Sequence, residues 1–177
     1  GNICNGSPAG DSVPALIAAG CMALIAGPNG KREIPIEEFH IGPGNTVLNN
    51  GEMLVSLKFP KREIHSSDTY LRMTPRTEMD IAVVGCGVNI TFENNVCTAA
   101  RVSLGAVAPT PLLIKEASKI MVGSDLNSEI LDKVSKICMD LCDPIDDKRG
   151  TIDYRTKVAG VLFKRATLTT IDRIKGN

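Results

Sequence analysis

"IAVVGCGVNITFENNVCTAARVSLGAV", residues 81–107, holds two apolar runs separated by a polar knot, and its reading decides the fold. Val88, Ile90 and Phe92 alternate with Asn89 and Thr91, the period of two that a half-buried antiparallel strand requires. Glu93-Asn94-Asn95 divides this run from "VCTAARVSLGAV", so the two read as strands flanking a turn. "TYLRMT" (69–74) reads as a third strand. Past "APTP" (108–111) the period changes. Leu113, Ala117 and Ile120 suit a helix that Gly123 would end. Ile130, Val134, Ile137, Cys138, Leu141 and Cys142 keep to one helical face. After "DDKRGTIDY" (146–154) a third helix is expected, with Tyr154, Val158, Val161 and Leu162 inward and Lys157, Lys164 and Arg165 outward. The pattern predicts an antiparallel sheet covered by helices, class α+β.

Upstream, Asp11 or Ser12 is a plausible N-cap, Pro14 sits in the first helical turn and Gly20 follows the last apolar residue. A short helix over 12–19 is therefore expected. "CMALIAG" and "KREIPI", split by Pro28-Asn29-Gly30, read as a hairpin with an Asn-Gly turn. The loop "HIGPGNTVLNNGE" leads to a strand, "MLVSLKFP", that Pro60 ends. The polar stretch "KREIHSSD" reads as a linker, which divides the chain into units at 1–62 and 67–177. No internal repeat or low-complexity segment appears.

Composition narrows the classes. Of 177 residues, 43% are hydrophobic and 23% charged, as in a globular protein. The formal net charge of zero supplies no global field toward nucleic acid or an acidic membrane surface. Aromatics make up only 3% with no Trp, which argues against stacking platforms for single strands. The longest apolar run, Val13 to Ala26, is broken by Pro14 and Gly20, well short of the roughly 20 residues that span a bilayer. The six cysteines, at 4, 21, 86, 97, 138 and 142, form no CxxC pair. They read as reduced core thiols of a cytoplasmic protein rather than as metal or cluster ligands.

Catalytic constellations are missing too. His40 and His65 have no Ser, Cys or carboxylate nearby in a catalytic spacing, and Asp146-Asp147 beside Lys148-Arg149 reads as a charged turn. Arg76 and Asp80 are spaced for a structural ion pair. "GCGVN" (85–89) is a lone glycine pair inside a strand, and no Walker loop or G-x-G-x-x-G fingerprint occurs. No catalytic residue and no metal ligand is expected.

The opening, "GNICNGSPAGDSVPAL" (1–16), is different. A glycine-rich, side-chain-poor loop lets a ligand approach backbone N–H groups and delivers the chain to a helix N-terminus. Asp11 suits a ligand's hydroxyl groups, or simply the N-cap, with Asn2, Asn5 and Ser7 as adaptable donors. A ligand with both phosphates and a polyol fits this mixture, and so does a capped-helix entry loop that binds nothing.

This stretch closely resembles the second FAD-binding motif of the flavoprotein (medium) subunit of the molybdenum hydroxylases, the xanthine dehydrogenase and carbon monoxide dehydrogenase family. "GEMLVSLKFP", "YLRMTPRTEMDIAVV", "ARVSLGAVAPTP" and "DYRTKVAGVLFKRA" are similar to the family's later blocks, in order, across essentially the whole chain. The resemblance implies the remainder of a PCMH-type FAD-binding domain, followed by a flavoprotein C-terminal domain of a three-stranded antiparallel sheet and a helical bundle. It implies FAD contacts at Gly1, Asn2, Asn5, Ser7 and Asp11, and an apolar contact with the isoalloxazine ring at Leu54, with Met53 beside it. Arg72 falls where relatives that use NAD often carry Lys near the flavin.

It further implies an oxidoreductase subunit, passing electrons from iron–sulfur clusters on a small partner subunit through FAD to NAD or another acceptor. Molybdopterin would sit on a large partner subunit. No nucleic acid and no membrane is expected as a partner. The family's first FAD motif, a pyrophosphate loop, would precede Gly1, so the chain is expected to be a C-terminal fragment, inactive and without stoichiometric FAD by itself. The rival reading is a non-catalytic module that docks and assembles the subunits of the same complex.

Overall fold

The computed structural model describes residues 1–76 and 80–176. The chain begins with α1 (Ser12–Ala18), then β1 (Met22–Gly27), β2 (Gly30–Pro35), a 3₁₀ turn at Ile36–Glu38, β3 (His40–Gly42), β4 (Asn45–Thr46) and β5 (Met53–Lys58). It continues with β6 (Ser66–Met73), β7 (Val84–Glu93), β8 (Val96–Gly105), β9 (Leu112–Leu113), α2 (Lys115–Met121), α3 (Ser128–Asp140) and α4 (Ile152–Lys175). Strand order is β2-β1-β5 in one sheet and β6-β7-β8-β9 in another, every pairing being antiparallel, with β3-β4 a small ribbon. The fold is α+β, as expected.

The β7–β8 hairpin turns at Asn94 and Asn95, with φ of 51° and 64°. A type I′ turn needs two such residues, and Asn tolerates the left-handed region better than most. The β1–β2 hairpin departs from expectation by one residue, since Gly27 pairs with Gly30 and Pro28-Asn29 form the turn. Pro28, with its ring-locked φ, suits the first central position of an ordinary β-turn, and the left-handed residue is displaced to Gly30, at φ +109°. The three long strands of the larger sheet gain a two-residue fourth, β9, which pairs Leu112 and Leu113 with Leu104 and Ser103. Leu113 therefore lies in a strand, and α2 starts two residues later.

The two faces of the larger sheet differ in kind. Cys86, Val88, Ile90, Val102 and Leu104 point one way into a core completed by Met121 of α2, Val134 of α3 and Phe163 of α4. The inward face of α4 runs through Arg155, Ala159, Leu162, Phe163 and Ala166, while Tyr154 and Val161 are exposed, contrary to the sequence reading. Of the residues expected inward, Leu162 is buried and Val158 half-buried, while the charged Arg155 takes the inward place beside Tyr154.

The opposite face is nearly stripped of side chains, and α1 lies on it. A Cβ on Gly87 would stand 2.6 Å from the Pro14 carbonyl oxygen, and one on Gly105 would stand 2.5 Å from Pro14 Cγ. The glycine pair in "GCGVN" thus serves close approach of a helix to a strand. Ser103 Oγ donates to the Pro14 carbonyl at 2.5 Å, and Arg101 Nε donates to the Ile17 carbonyl at 2.9 Å near the helix C-terminus. Arg101 also pairs with Glu37 at 2.9 Å. On its other side α1 contributes Val13, Leu16 and Ile17 to a second core with Cys21, Ala23, Ile25, Ile36 and Phe39. One seven-residue helix therefore lies between the outer face of the larger sheet and the second core. No helix among the described residues is long and apolar enough to cross a membrane.

Candidate cofactor-binding site

The segment Gly1–Asp11 wraps into successive turns. Asn5 N–H donates to the Gly1 carbonyl at 3.0 Å, Gly6 N–H to Ile3 at 3.2 Å and Gly10 N–H to Ser7 at 3.0 Å. Gly6 has φ +64°, and a Cβ there would meet the Gly44 backbone at 2.8 Å, so the position needs glycine on both counts. Gly44 N–H donates to the Gly6 carbonyl at 2.9 Å, and His40 Nε2 donates to the Ile3 carbonyl at 2.8 Å. His40 is buried, and its role is to hold this loop.

The side-chain capping expected of Asp11 or Ser12 is supplied by Asn2. Asp11 lies at the N-cap of α1 but makes no side-chain capping bond. Asn2 Oδ1 instead accepts from Ser12 Oγ at 2.6 Å and from Ser12 N–H at 3.4 Å. Asp11 Oδ2 is bonded by Arg72 Nη1 from β6. Ser7 Oγ accepts from Ala9 N–H at 3.3 Å. Asn5 is exposed on the loop, as is Gly1.

Tyr70, two residues from Arg72 on the same strand face, was not singled out by sequence. Its ring lies across Gly85, where a Cβ would stand 2.9 Å from the hydroxyl oxygen. Burial, and secondarily the charge of Asp11, hold this phenol well above its ordinary range, so it stays protonated. Among the described residues, neither the Tyr70 hydroxyl nor Asp11 Oδ1 has a hydrogen bond of good geometry, although the two side chains face each other closely enough for the phenol to be drawn toward the Asp11 carboxylate. Buried polar atoms are rarely left so, and a polar ligand group is one way to complete them.

Met53 and Leu54 lie apart from that cluster, on β5, with no ion pair or hydrogen bond to it among the described residues. Met53 is 64% exposed, whereas Leu54 packs against the N-terminal core beside Ile25. Their entry into β5 is fixed by Arg32, which donates to Glu52 at 2.8 and 2.9 Å and to the Val47 carbonyl at 2.9 Å. Arg32 and the Asn49 N–H hold the Glu52 carboxyl down at about 2. The clamp therefore persists well below the ordinary carboxylate range and opens only as pH falls toward that value.

Beside the loop, a cavity of about 320 Å³ opens between Ser7–Ala9, Ile81–Ala82, Ala106–Pro109 and Pro144–Ile145. Arg149 and Asp147 lie at its polar side and Arg155 also lines it. Asp80, which caps the Ile81 N–H at 2.9 Å, pairs with Arg76 at 3.4 Å and Arg149 at 3.6 Å. The Arg76–Asp80 pair thus forms; the stretch between its members lies outside the described residues.

No group of His, Cys, Asp and Glu able to hold a metal ion occurs among the described residues. Cys21, Cys86, Cys97 and Cys138 are buried, Cys142 is half-buried and Cys4 is exposed. Burial raises the Cys97 and Cys142 thiols to about 11 and Cys138 to about 12, and pushes Cys86 and Cys21 up as well. A disulfide reagent near pH 8 is expected to titrate one thiol rapidly in the native protein, Cys4, and all six only after denaturation. Rapid reaction of two or more thiols in the native state would contradict this burial pattern.

Comparison with known proteins gives two matching stretches. Residues 69–170 match the CO dehydrogenase flavoprotein C-terminal domain, and residues 1–62 match the FAD binding domain in molybdopterin dehydrogenase. The chain belongs to the CO dehydrogenase flavoprotein C-terminal domain family. It is 34% identical to the carbon monoxide dehydrogenase medium chain of Afipia carboxidovorans over 94% of its own length and 57% of that protein. It is 29% identical to a putative xanthine dehydrogenase FAD-binding subunit of Escherichia coli over 93% of its length and 57% of that protein. Among solved structures, a carbon monoxide dehydrogenase from Hydrogenophaga pseudoflava, described as lacking the Mo-pyranopterin moiety of its molybdenum cofactor, superposes with TM-score 0.94. Identity is 29%, over 98% of this chain and 60% of that one. The chain thus spans somewhat more than half the length of these three relatives.

Proposed function

We propose that this chain is part of the FAD-binding subunit of a molybdenum hydroxylase of the carbon monoxide and xanthine dehydrogenase type. In this reading residues 1–62 supply the second part of the FAD-binding domain and 67–177 the flavoprotein C-terminal domain. The observation that carries it is the pair of orphaned buried atoms: Asp11 Oδ1, at the end of a turn-rich loop in the segment that matches an FAD-binding domain, and Tyr70 OH, which approaches it from β6. These atoms fit a polyhydroxylated ligand, since a carboxylate accepts from hydroxyl groups and a phenol can donate or accept.

FAD, when bound, supplies the redox chemistry, and the polypeptide binds, orients and shields it. Asn2, with Oδ1 committed to Ser12, keeps its amide hydrogens for a ligand oxygen. Asn5, Ser7 and the backbone at Gly1 offer further polar contacts, Asp11 takes ligand hydroxyls, and Leu54 offers an apolar contact to the ring, with Met53 beside it on the opposite face of β5. Arg72, engaged by Asp11, places a fixed positive charge at the same spot.

The partners proposed are an iron–sulfur small subunit as electron donor and a molybdopterin-binding large subunit. NAD, or another acceptor, then takes the electrons. The cavity beside Ser7–Ala9 supports an acceptor with a flat ring, its walls being mostly alanine, proline and isoleucine. Six cysteines present as free thiols fit a reducing, cytoplasmic setting. The test is the visible spectrum of the full gene product, followed by anaerobic reduction and mixing with NAD. Bound flavin that NAD reoxidises is the expected result. Flavin that only another oxidant discharges would remove NAD, and a colourless protein that takes up no FAD would remove the reading.

A further inference from the structure

Arg155 stands in the first turn of α4 and is 4% exposed. Without water around it, a guanidinium must find its acceptors inside the protein. Nη2 donates to Asp147 Oδ1 at 2.7 Å, Nη1 to the Val83 carbonyl at 2.6 Å and to the Ala106 carbonyl at 3.3 Å, and Nε to the Gly150 carbonyl at 3.4 Å. These acceptors belong to three separate segments: the approach to β7, the exit from β8 and the turn before α4. The first two are walls of the cavity beside the Gly1–Asp11 loop, and Arg155 lines it between them.

Ala106 connects this cation to the loop. Its φ is +62°, a region that alanine occupies only when its surroundings impose it. The Ala106 N–H donates to the Pro8 carbonyl at 2.8 Å, while its carbonyl receives Arg155. Asp143 N–H donates to the next carbonyl, Val107, at 2.8 Å. Both polar groups of one strained residue are therefore engaged, one by the buried arginine and the other by the loop.

We infer that Arg155 is a positioning residue for this loop: by holding the Ala106 carbonyl, it aims the Ala106 N–H at Pro8 and fixes the Ser7–Ala9 wall of the cavity. A role confined to closing the first turn of α4 would need only Asp147 and Gly150, and neither explains the bonds to Val83 and Ala106. The consequence for the acceptor cavity rests on the flavin reading, whereas the mechanical link does not.

Amide hydrogen exchange on the full gene product, wild type and Arg155→Lys, tests the link. Lysine keeps the charge but cannot span acceptors on three segments with one ammonium group. Exchange at Ala106 and across Gly6–Gly10 is expected to accelerate at least tenfold, with Gly87–Ile90 at the centre of β7 unchanged. Acceleration confined to residues 147–160 would overturn the inference. Should Arg155→Lys fail to fold, Asp147→Asn loosens the guanidinium from its anchor, and unchanged protection at Ala106 there overturns it equally. A second readout, FAD content of the wild type, separates the two ideas. Absent flavin with propagated exchange removes only the cofactor reading, and present flavin with no propagation removes only the role of Arg155.

Discussion

Gly87→Val is expected to lower stability by about 3 kcal/mol or more, the upper part of the range for overpacked cores. The first added carbon would stand 2.6 Å from the Pro14 carbonyl, 2.7 Å from Ser103 Oγ and 3.0 Å from Ala18 Cβ. Two of the three obstacles belong to α1, so the helix must lift from the sheet or the strand must bend. Lifting α1 breaks the Ser103–Pro14 bond and carries the end of the Gly1–Asp11 loop with it. For a chain of this size the loss corresponds to a fall of roughly 6–12 °C in Tm. Gly42→Ala is a suitable control, since its Cβ would find nothing closer than 3.7 Å. A Gly87→Val variant melting within about 2 °C of wild type would show that α1 does not sit tightly on the sheet.

Asp11→Ala should weaken FAD binding by about 10- to 150-fold in the full gene product, with little change in stability. Charge-assisted hydrogen bonds from ligand hydroxyls to a carboxylate are worth roughly 1.5–3 kcal/mol, which sets that range. The ion pair with Arg72 contributes far less to folding, because the two side chains are 39% and 40% exposed and such pairs are screened by solvent. Binding and folding should therefore separate cleanly in this variant. Asp11→Asn, which keeps an acceptor of the same shape without the charge, should lose less. Equal FAD affinity in Asp11→Ala and wild type would remove Asp11 from the site. A fall in Tm matching the loss of binding would make its role structural instead.

How far sequence alone could go depends on how local the causes are. The alternation of Val88, Asn89, Ile90 and Thr91 is set by the pleat of one strand, and it reads correctly. At Gly85–Val88 the same strand is buried on both faces, and the alternation rule fails there. The reason is α1, some seventy positions upstream, which no window around "GCGVN" contains. Small residues at 85, 87, 103 and 105 were the available signal, legible only once the strand register had put them side by side.

The same limit explains the site. Turn-forming residues in "GNICNGSPAGD" made the loop legible, and a capping residue was rightly sought beside Ser12. That the cap comes from Asn2 while Asp11 turns to Arg72 depends on a contact between residues 61 positions apart. Tyr70 was passed over as an ordinary strand aromatic, since its orphaned hydroxyl appears only when β6 is laid beside Asp11. Arg155 went unassigned for a related reason. A charged residue scores as surface in any periodicity argument, and only Asp147 with three carbonyls makes burying it tolerable.

The most direct measurement is an equilibrium titration of FAD into the flavin-free full gene product, followed by flavin fluorescence. Saturation at one FAD per chain with sub-micromolar affinity is the predicted result, as expected of a long ligand held by a carboxylate, several amides and an apolar wall together. A titration that reaches about 100 μM without saturable binding would correspond to less than roughly 6 kcal/mol of affinity. That outcome would contradict the assignment of residues 1–62 to an FAD site.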